Sequence, residues 1–389
     1  MKKILVVGGN SGIGLAIVSN LLKRNVEKIY VVGKDAPNIY DLEENIRDIY
    51  EEKVIFKKSN FVNFDINVFN EIIDIDSLII TAGFGRVAHF EDLTEPEIKN
   101  LIRVNLEANT LILKHFYSKI ADHKDFFTSI MVSICGHIVS PLFSVYGATK
   151  SGLKFLIENL NCELMSNGYT NRILDVSPGS LKGTNFNGEK NNLKLLENVA
   201  DEIINRMLKK ETLYIPQYVD VYKDVLNRYN NNKEKFGIES YQYKINNNRL
   251  NSHPQVKIGY LSGTFDLFHI GHLNLLKRAK EQCDYLIVSV HNSGAWKGKE
   301  TFIPYDERCA IVSSIKYVDK VVEDFKEDSD AWDKYRYDVL FVGSDYKGTE
   351  RFNRYEEILK GKAEIVYFPY TQGTSSTQLR NSISNSTKK

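Results

Sequence analysis

Two series of alternating strands and helices, each opened by a strand that runs straight into a glycine turn, constrain this chain more than any other feature. From residue 1 to about 215, short β-branched runs (KILVVGG, KIYVVGK, KVIFKKS, SLIITAG, SIMVSIC and RILDVSPG) alternate with amphipathic stretches. That alternation predicts an α/β domain built on a doubly wound parallel sheet with helices on both faces. At Lys257 a new strand, KIGYLSG, starts a second series through DYLIVSV, KVVEDF, VLFVGSD and AEIVYFP, which predicts a smaller α/β domain. The stretch between them is crowded with asparagine and charge (NNNKEKFG, INNNRLNSHP) and reads as a linker. The expected division is a first domain over 1–229, a linker over 230–254 and a second domain over 255–389.

A length of 389 residues exceeds what one hydrophobic core usually organises, in keeping with two domains. With 51 basic against 50 acidic residues there is no overall field to draw in nucleic acid or a membrane surface, so phosphate binding must be local and the expected partners are small anions. No segment approaches the ~20 apolar residues that span a bilayer, and MKKILVVGG passes from two lysines into a strand rather than a signal peptide. The four cysteines are scattered without CxxC pairing, so neither a protein-held metal nor a disulfide framework is expected, and a reducing cytoplasm fits.

The first glycine turn reads GGNSGIG, with Gly8, Gly12 and Gly14 ahead of the apolar-periodic LAIVSNLL. Glycines there allow a tight turn and close approach of a pyrophosphate, whose charge the amides at a helix start can bind, although a plain chain reversal would look the same. Farther on, SICGHIVSPLFSVYGATKSG holds Ser133, Tyr146 and Lys150. Tyr146 and Lys150 are four apart and share a helix face, where an ammonium can lower the phenol's pKa and hold a ribose. Such a phenol can protonate a carbonyl under reduction, with Ser133 hydrogen-bonding the substrate oxygen. The structural alternatives are a half-buried aromatic, a solvated lysine and a strand-end hydroxyl.

With these residues in place, the first half resembles the short-chain dehydrogenase/reductase family, which has a Rossmann fold. The resemblance covers residues 1 to about 215 and implies catalytic roles for Ser133, Tyr146, Lys150 and Asn105, the last organising a proton-relay water. It implies cofactor contacts from Gly8, Asn10, Ser11, Gly12, Ile13, Gly14, Lys34, Asn60 and Gly83, from Tyr146 and Lys150, and from Pro178, Gly179 and Thr184 after the sixth strand. Three places depart from the family pattern: one extra residue precedes Thr184, ITAG replaces an asparagine-rich turn, and Asn60 stands for an aspartate. The position that would accept a ribose 2′-hydroxyl is occupied by Gly33 and Lys34, a lysine that favours a 2′-phosphate and therefore NADPH, with Asp35 as a nearby opposing charge.

The second glycine turn leads into GTFDLFHIGHLNLLKRAK, where His269 and His272 sit three apart at a helix entry. Two imidazoles and a helix N-terminus aimed at one anionic centre suit phosphate chemistry, in which stabilising charge on the transferring group is most of what catalysis requires. A structural histidine pair or a metal site are the alternatives. This half resembles the cytidylyltransferase family that includes glycerol-3-phosphate and choline-phosphate cytidylyltransferases, over residues 257 to about 383. The resemblance implies a nucleotide site made by Gly263, Thr264, Phe265, His269, Gly271 and His272, with Asp266 inside the same signature. It adds Lys297 and Lys299 of WKGKETFIPYDER, Arg308 on the following helix, Asp345, and Gly373, Ser375, Ser376 and Thr377 of YTQGTSST. Tyr317, Val318 and Asp319 match a further strand motif, while Tyr370, Gln372, Ser344 and Tyr346 replace residues usual in the family.

The two resemblances together imply reduction of a ketose phosphate with NADPH to a polyol phosphate, followed by transfer of CMP from CTP, with Mg2+, to give a CDP-polyol and pyrophosphate. CDP-polyols resemble precursors of capsule or teichoic acid. A pentulose 5-phosphate is the expected ketose and dihydroxyacetone phosphate the alternative. The rival readings are an adenylyltransferase using ATP and a reductase fold kept only as a non-catalytic scaffold. A homo-oligomer acting on small molecules is expected, with no nucleic-acid or membrane partner.

Overall fold

The computed structural model describes residues 1–184, 186, 190–251, 256–293, 300–369 and 378–379. The chain divides into two compact units, Met1–Pro254 and Gln255–Lys389.

The first unit begins β1 (Lys3–Val7), α1 (Gly12–Leu22), β2 (Lys28–Gly33), α2 (Glu44–Lys53), β3 (Val54–Lys58) and β4 (Ser77–Ile80). It continues through α3 (Glu95–Ile102), α4 (Asn109–Ile120), β5 (Phe127–Met131), α5 (Ser144–Ser166), β6 (Ile173–Val176), α6 (Leu193–Leu208) and β7 (Leu213–Tyr214). The strands form one parallel sheet in the order β3-β2-β1-β4-β5-β6-β7. The central runs KILVV and SLII are buried almost throughout, as expected of parallel strands covered on both faces. One face packs Ile4 and Val6 under α1 and α6; the other packs Leu5, Val7 and Leu78 under α4 and α5. Strand order reverses beside β1, where the crevice of such a sheet takes its ligand. The two-residue β7 was not legible in the sequence, and β5 starts at Phe127, two residues before the predicted run.

Over its described residues, 230–251, the stretch expected as a linker is largely helical. The unit ends with α7 (Lys223–Asn231) and α8 (Lys233–Asn246), and Phe236, Gly237 and Lys244 of α8 are buried. Asn232 caps α8 by accepting the Lys235 amide, so part of the asparagine content that resembled a loop is a helix start.

The second unit runs β8 (Ile258–Gly263), α9 (Ile270–Glu281), β9 (Tyr285–Val290), α10 (Tyr305–Ser313), β10 (Lys320–Val322), α11 (Ala331–Tyr335), β11 (Val339–Gly343), α12 (Glu350–Ile358) and β12 (Glu364–Phe368). Its parallel sheet has the order β10-β9-β8-β11-β12, again reversing beside its first strand. Asp319 of the YVD motif pairs with buried Lys280 and accepts the Leu286 amide, tying α9 to β9. Among the described residues no helix is long and apolar enough to cross a membrane.

Candidate functional sites

In the first unit the glycine turn is dictated by close packing. Gly8 has φ +82°, and a methyl group there would lie 2.6 Å from the Ala82 amide nitrogen; one at Gly14 would strike the Gly8 carbonyl. Among the described residues a side chain at Gly12 would meet Thr184, at 3.7 Å, which sets the turn beside the segment after β6. Ser11 places no side-chain cap on α1. Instead the Gly12 amide donates to Asn191 Oδ1 at 3.2 Å, which puts an acceptor oxygen at the helix start, and Asn191 is a residue the sequence did not single out. The Asn10 side chain lies against Gly33, and exposed Lys34 follows directly at the end of β2. Asn60 caps the turn after β3 by accepting the Val62 amide.

The chemistry-bearing residues meet at the ends of β4 and β5. The helix from α3 to α4 passes through a π-helical turn, Arg103–Ala108, a local widening that is frequent at functional sites. It presents Asn105, fully buried, whose Oδ1 accepts the Phe84 amide at 3.0 Å and whose Nδ2 donates to the Phe84 carbonyl at 2.8 Å. Nδ2 also lies 3.3 Å from Thr149 on α5. Gly83 fills the space between Asn105 and Lys150: a methyl group there would be 3.1 Å from Asn105 Oδ1 and 3.2 Å from Lys150 Nζ. Tyr146 and Lys150 occupy the first turns of α5, with the ammonium 5.8 Å from the phenol ring centroid and donating to the Met131 carbonyl at 2.8 Å. Ser133 closes the group; its hydroxyl accepts the Cys135 amide and hydrogen-bonds Tyr146.

One electrostatic expectation is corrected. Burial pushes the Tyr146 phenol up, the neighbouring Cys135 adds to this, and only the Ser133 hydrogen bond pulls it down. Lys150 is itself pushed down to about 8 by burial, against the opposing pull of Asp175 and Cys135. Desolvation outweighs the cation because both groups sit in the protein interior. The cluster therefore holds a neutral phenol, the form that donates a proton.

Phe143 and Phe186 flank the Tyr146 ring, with centroids 5.1 and 5.5 Å away. Pro178 accepts the Ile134 amide, and Gly179 leaves the space that the Tyr222 hydroxyl enters. His137 Nε2 meets Ser177 at 2.9 Å, and Ser177 donates to Asp175 at 2.6 Å. Neither Tyr222 nor this buried relay carries a sequence signal of its own, because each depends on chain segments far apart.

In the second unit the loop after β8 bends through Phe265 and Leu267, both at positive φ, strain of the kind held at functional sites. His269 begins α9, and its Nδ1 accepts the Gly271 amide at 3.0 Å. That bond fixes the neutral tautomer with its proton on Nε2, and burial lowers the His269 pKa, keeping the ring a neutral donor near pH 7. The His272 ring stacks on it at 3.9 Å between centroids. Gly263 ends β8, and Asp345 folds back over Gly343 at the end of neighbouring β11, so these residues share one sheet edge with the histidines.

Two residues expected at the nucleotide are placed otherwise. Arg308 is fully buried and spends its guanidinium on carbonyls: Thr264 at 2.5 Å, His291 at 2.7 Å, Asn292 at 2.8 Å and Ile303 at 2.9 Å. A fork of fixed donors suits this clasp, which binds the glycine loop to the end of β9. Phe265 is also buried; its ring packs on Gly263 and edge-on to His272 at 5.3 Å, supporting the imidazole from beneath. Asp266 tethers the chain ahead of α10, its carboxylate accepting the amides of Phe302 at 3.1 Å and Ile303 at 2.9 Å. His291, hydrogen-bonded to Asp324 at 2.7 Å beside Gly263, is a further polar group at this edge that carries no signal in the sequence. Lys297, Lys299, Gly373, Ser375, Ser376 and Thr377 lie outside the described residues.

Residues 2–194 match the family model for short chain dehydrogenases, and residues 260–382 the cytidylyltransferase-like model. The glycerol-3-phosphate cytidylyltransferase of Staphylococcus aureus is 35% identical over 125 residues, 31% of this chain and 90% of that protein. An uncharacterized short-chain type dehydrogenase/reductase of Sinorhizobium fredii is 27% identical over 228 residues, 56% of this chain and 87% of that protein. A solved short-chain dehydrogenase from Sphingobium yanoikuyae in complex with NADPH is similar at 22% identity and a TM-score of 0.49, over 59% of this chain and 94% of that one.

Proposed function

Since the chain belongs to the short chain dehydrogenase family in its first unit and to the cytidylyltransferase-like family in its second, we propose that it makes and then activates one metabolite. The first unit reduces a ketose phosphate, a pentulose 5-phosphate by preference, to a polyol phosphate. The second joins that phosphate to CMP from CTP. The observation that carries this reading is the presence, in one chain, of a buried Ser133, Tyr146, Lys150 and Asn105 cluster and of a stacked His269 and His272 pair at a helix start.

A nicotinamide cofactor bound at the glycine turn supplies the hydride. Tyr146 gives its phenolic proton to the carbonyl oxygen, and Ser133 holds that oxygen in reach. Lys150 positions the cofactor ribose, and Asn105 shapes the path by which the phenol is reprotonated. Lys34, at the tip of β2, is the cation for a 2′-phosphate, which makes NADPH the proposed reductant. In the second unit the polyol phosphate oxygen attacks the α-phosphorus of CTP, its bond to pyrophosphate breaks, and His269 and His272 donate to the oxygens on which charge accumulates. Mg2+ accompanies the triphosphate.

The test is incubation of the full chain with NADPH, CTP, Mg2+ and a pentulose 5-phosphate, following NADPH oxidation, pyrophosphate release and the nucleotide product. A CDP-polyol formed only when both NADPH and CTP are present supports the reading. A Tyr146→Phe chain should release pyrophosphate from supplied polyol phosphate yet oxidise no NADPH. Pyrophosphate release with ATP and not CTP would overturn the nucleotide assignment, and equal use of NADH would overturn that of Lys34.

A further inference from the structure

The stretch whose polarity resembles a linker carries two cations, Lys244 and Arg249, between its attachments to the loops around Tyr146. Lys244 on α8 is buried, and its ammonium donates to Ser140 Oγ at 2.8 Å, the Pro141 carbonyl at 2.7 Å and Ser240 Oγ at 3.2 Å. It also stands 5.5 Å from the Phe143 ring, the ring that packs against Tyr146. Five residues on, Arg249 touches the Tyr243 hydroxyl at 3.5 Å. The segment is then pinned down by the Asn251 amide, which donates to the Val87 carbonyl at 2.9 Å. Val87 lies two residues beyond Gly85, which packs on the Tyr146 ring. Helix α8 and the residues after it are therefore fastened to both loops that carry Tyr146's surroundings.

Cys135 is a charge neighbour of Tyr146, Lys150, Tyr222 and Lys244 alike, and Arg249 is a neighbour of both Tyr222 and Lys244. Burial pushes Lys244 down to about 8, with Cys135 raising it and Arg249 lowering it further. Among the described residues neither cation forms an ion pair with a carboxylate. A desolvated ammonium with no carboxylate beside it costs free energy that a nearby anion offsets.

We propose that Lys244 and Arg249 form the anion-binding side of the reductase pocket and take the phosphate monoester of its carbonyl substrate. This rests on the reading of the first unit as a ketose phosphate reductase. Arg249, exposed and with one guanidinium hydrogen bond among the described residues, makes the direct contact. Lys244, its three hydrogens already engaged, acts through its fixed charge. Ketoses without a phosphate lose this contact and with it their specificity.

The experiment uses the full chain and its Arg249→Met and Lys244→Met variants. NADPH oxidation is followed with a pentulose 5-phosphate and with the free pentulose, and inorganic phosphate is tested as an inhibitor competitive with the ketose and titrated calorimetrically. Each variant should raise KM for the phosphorylated ketose by about tenfold or more, leave kcat within about threefold, leave the free pentulose unaffected and weaken phosphate inhibition in proportion. NADPH binding measured by fluorescence checks folding. Arg249 is on the surface, so its variant decides the matter if Lys244→Met fails to fold. Equal losses on both ketoses, or an unchanged KM for the phosphorylated one, overturn the assignment. A wild type that binds inorganic phosphate through these residues but reduces neither ketose keeps the anion site and removes the proposed substrate. A wild type without preference for the phosphorylated ketose and without phosphate binding at these residues removes both.

Discussion

Gly85 lies flat against Tyr146, so close that a methyl group in its place would stand 2.6 Å from ring carbon Cδ2. The glycine sets where the phenol can be. Gly85→Ala should push the ring from its place and lower reductase kcat by about tenfold or more, with a stability loss of about 1–3 kcal/mol from overpacking. Steady-state NADPH oxidation and denaturant unfolding measure the two. Unchanged kcat would show that the ring position is not critical.

The pH profile should report Lys150. Its pKa, held down to about 8 by burial, means that the ammonium proposed to hold the ribose is present below that pH and lost as pH rises through it. The value of kcat/KM for NADPH, at saturating ketose, should accordingly fall above about pH 8, and Lys150→Arg should move that fall beyond the measured range because a guanidinium keeps its proton. The same depression has a stability consequence of opposite direction. Between about 8 and the ordinary lysine value of 10.5 the unfolded chain binds the proton that the folded one has released, so this residue's contribution to stability rises with pH there. An alkaline fall that Lys150→Arg leaves in place would assign it to another group.

Asp266 fixes the loop at Phe302 and Ile303 through two amides. Asp266→Ala releases both donors to solvent, frees the loop, and should lower CTP-dependent pyrophosphate release by about tenfold or more while NADPH oxidation continues. Asp266→Asn, which retains one acceptor oxygen, should fall between. Full transferase activity in the alanine variant would show that the tether is dispensable.

His269→Ala or His272→Ala should lower nucleotidyl transfer by about a hundredfold, the usual loss on removing one preorganised donor. Reduction should survive, because the histidines and Tyr146 belong to different units. With NADPH, CTP, Mg2+ and a pentulose phosphate, such a variant should accumulate free polyol phosphate, which chromatography detects. A nucleotide-linked ketose instead would reverse the order of the two steps.

Every strand named from the sequence except the start of β5 falls within its expected run, and both glycine turns lie where strands pass into helices. These features are written locally. A β-branched run buried on both faces, a glycine where φ must be positive and a polar residue at a helix start each depend on a few neighbours in the chain. The pairing of Tyr146 with Lys150 and of His269 with His272 was legible for the same reason, since a spacing of four or three residues already sets each pair on or at the start of one helix. What the tertiary structure alone decided is how remote segments meet: Asn105 clasping Phe84, Arg308 drawn inward onto four carbonyls, Phe265 turned under His272, and Lys244 delivered to the loops around Tyr146 by a stretch whose asparagines and charges resemble a linker. No periodicity encodes such meetings, because a guanidinium or ammonium finds its partners only after the sheet has brought together loops that lie tens of residues apart.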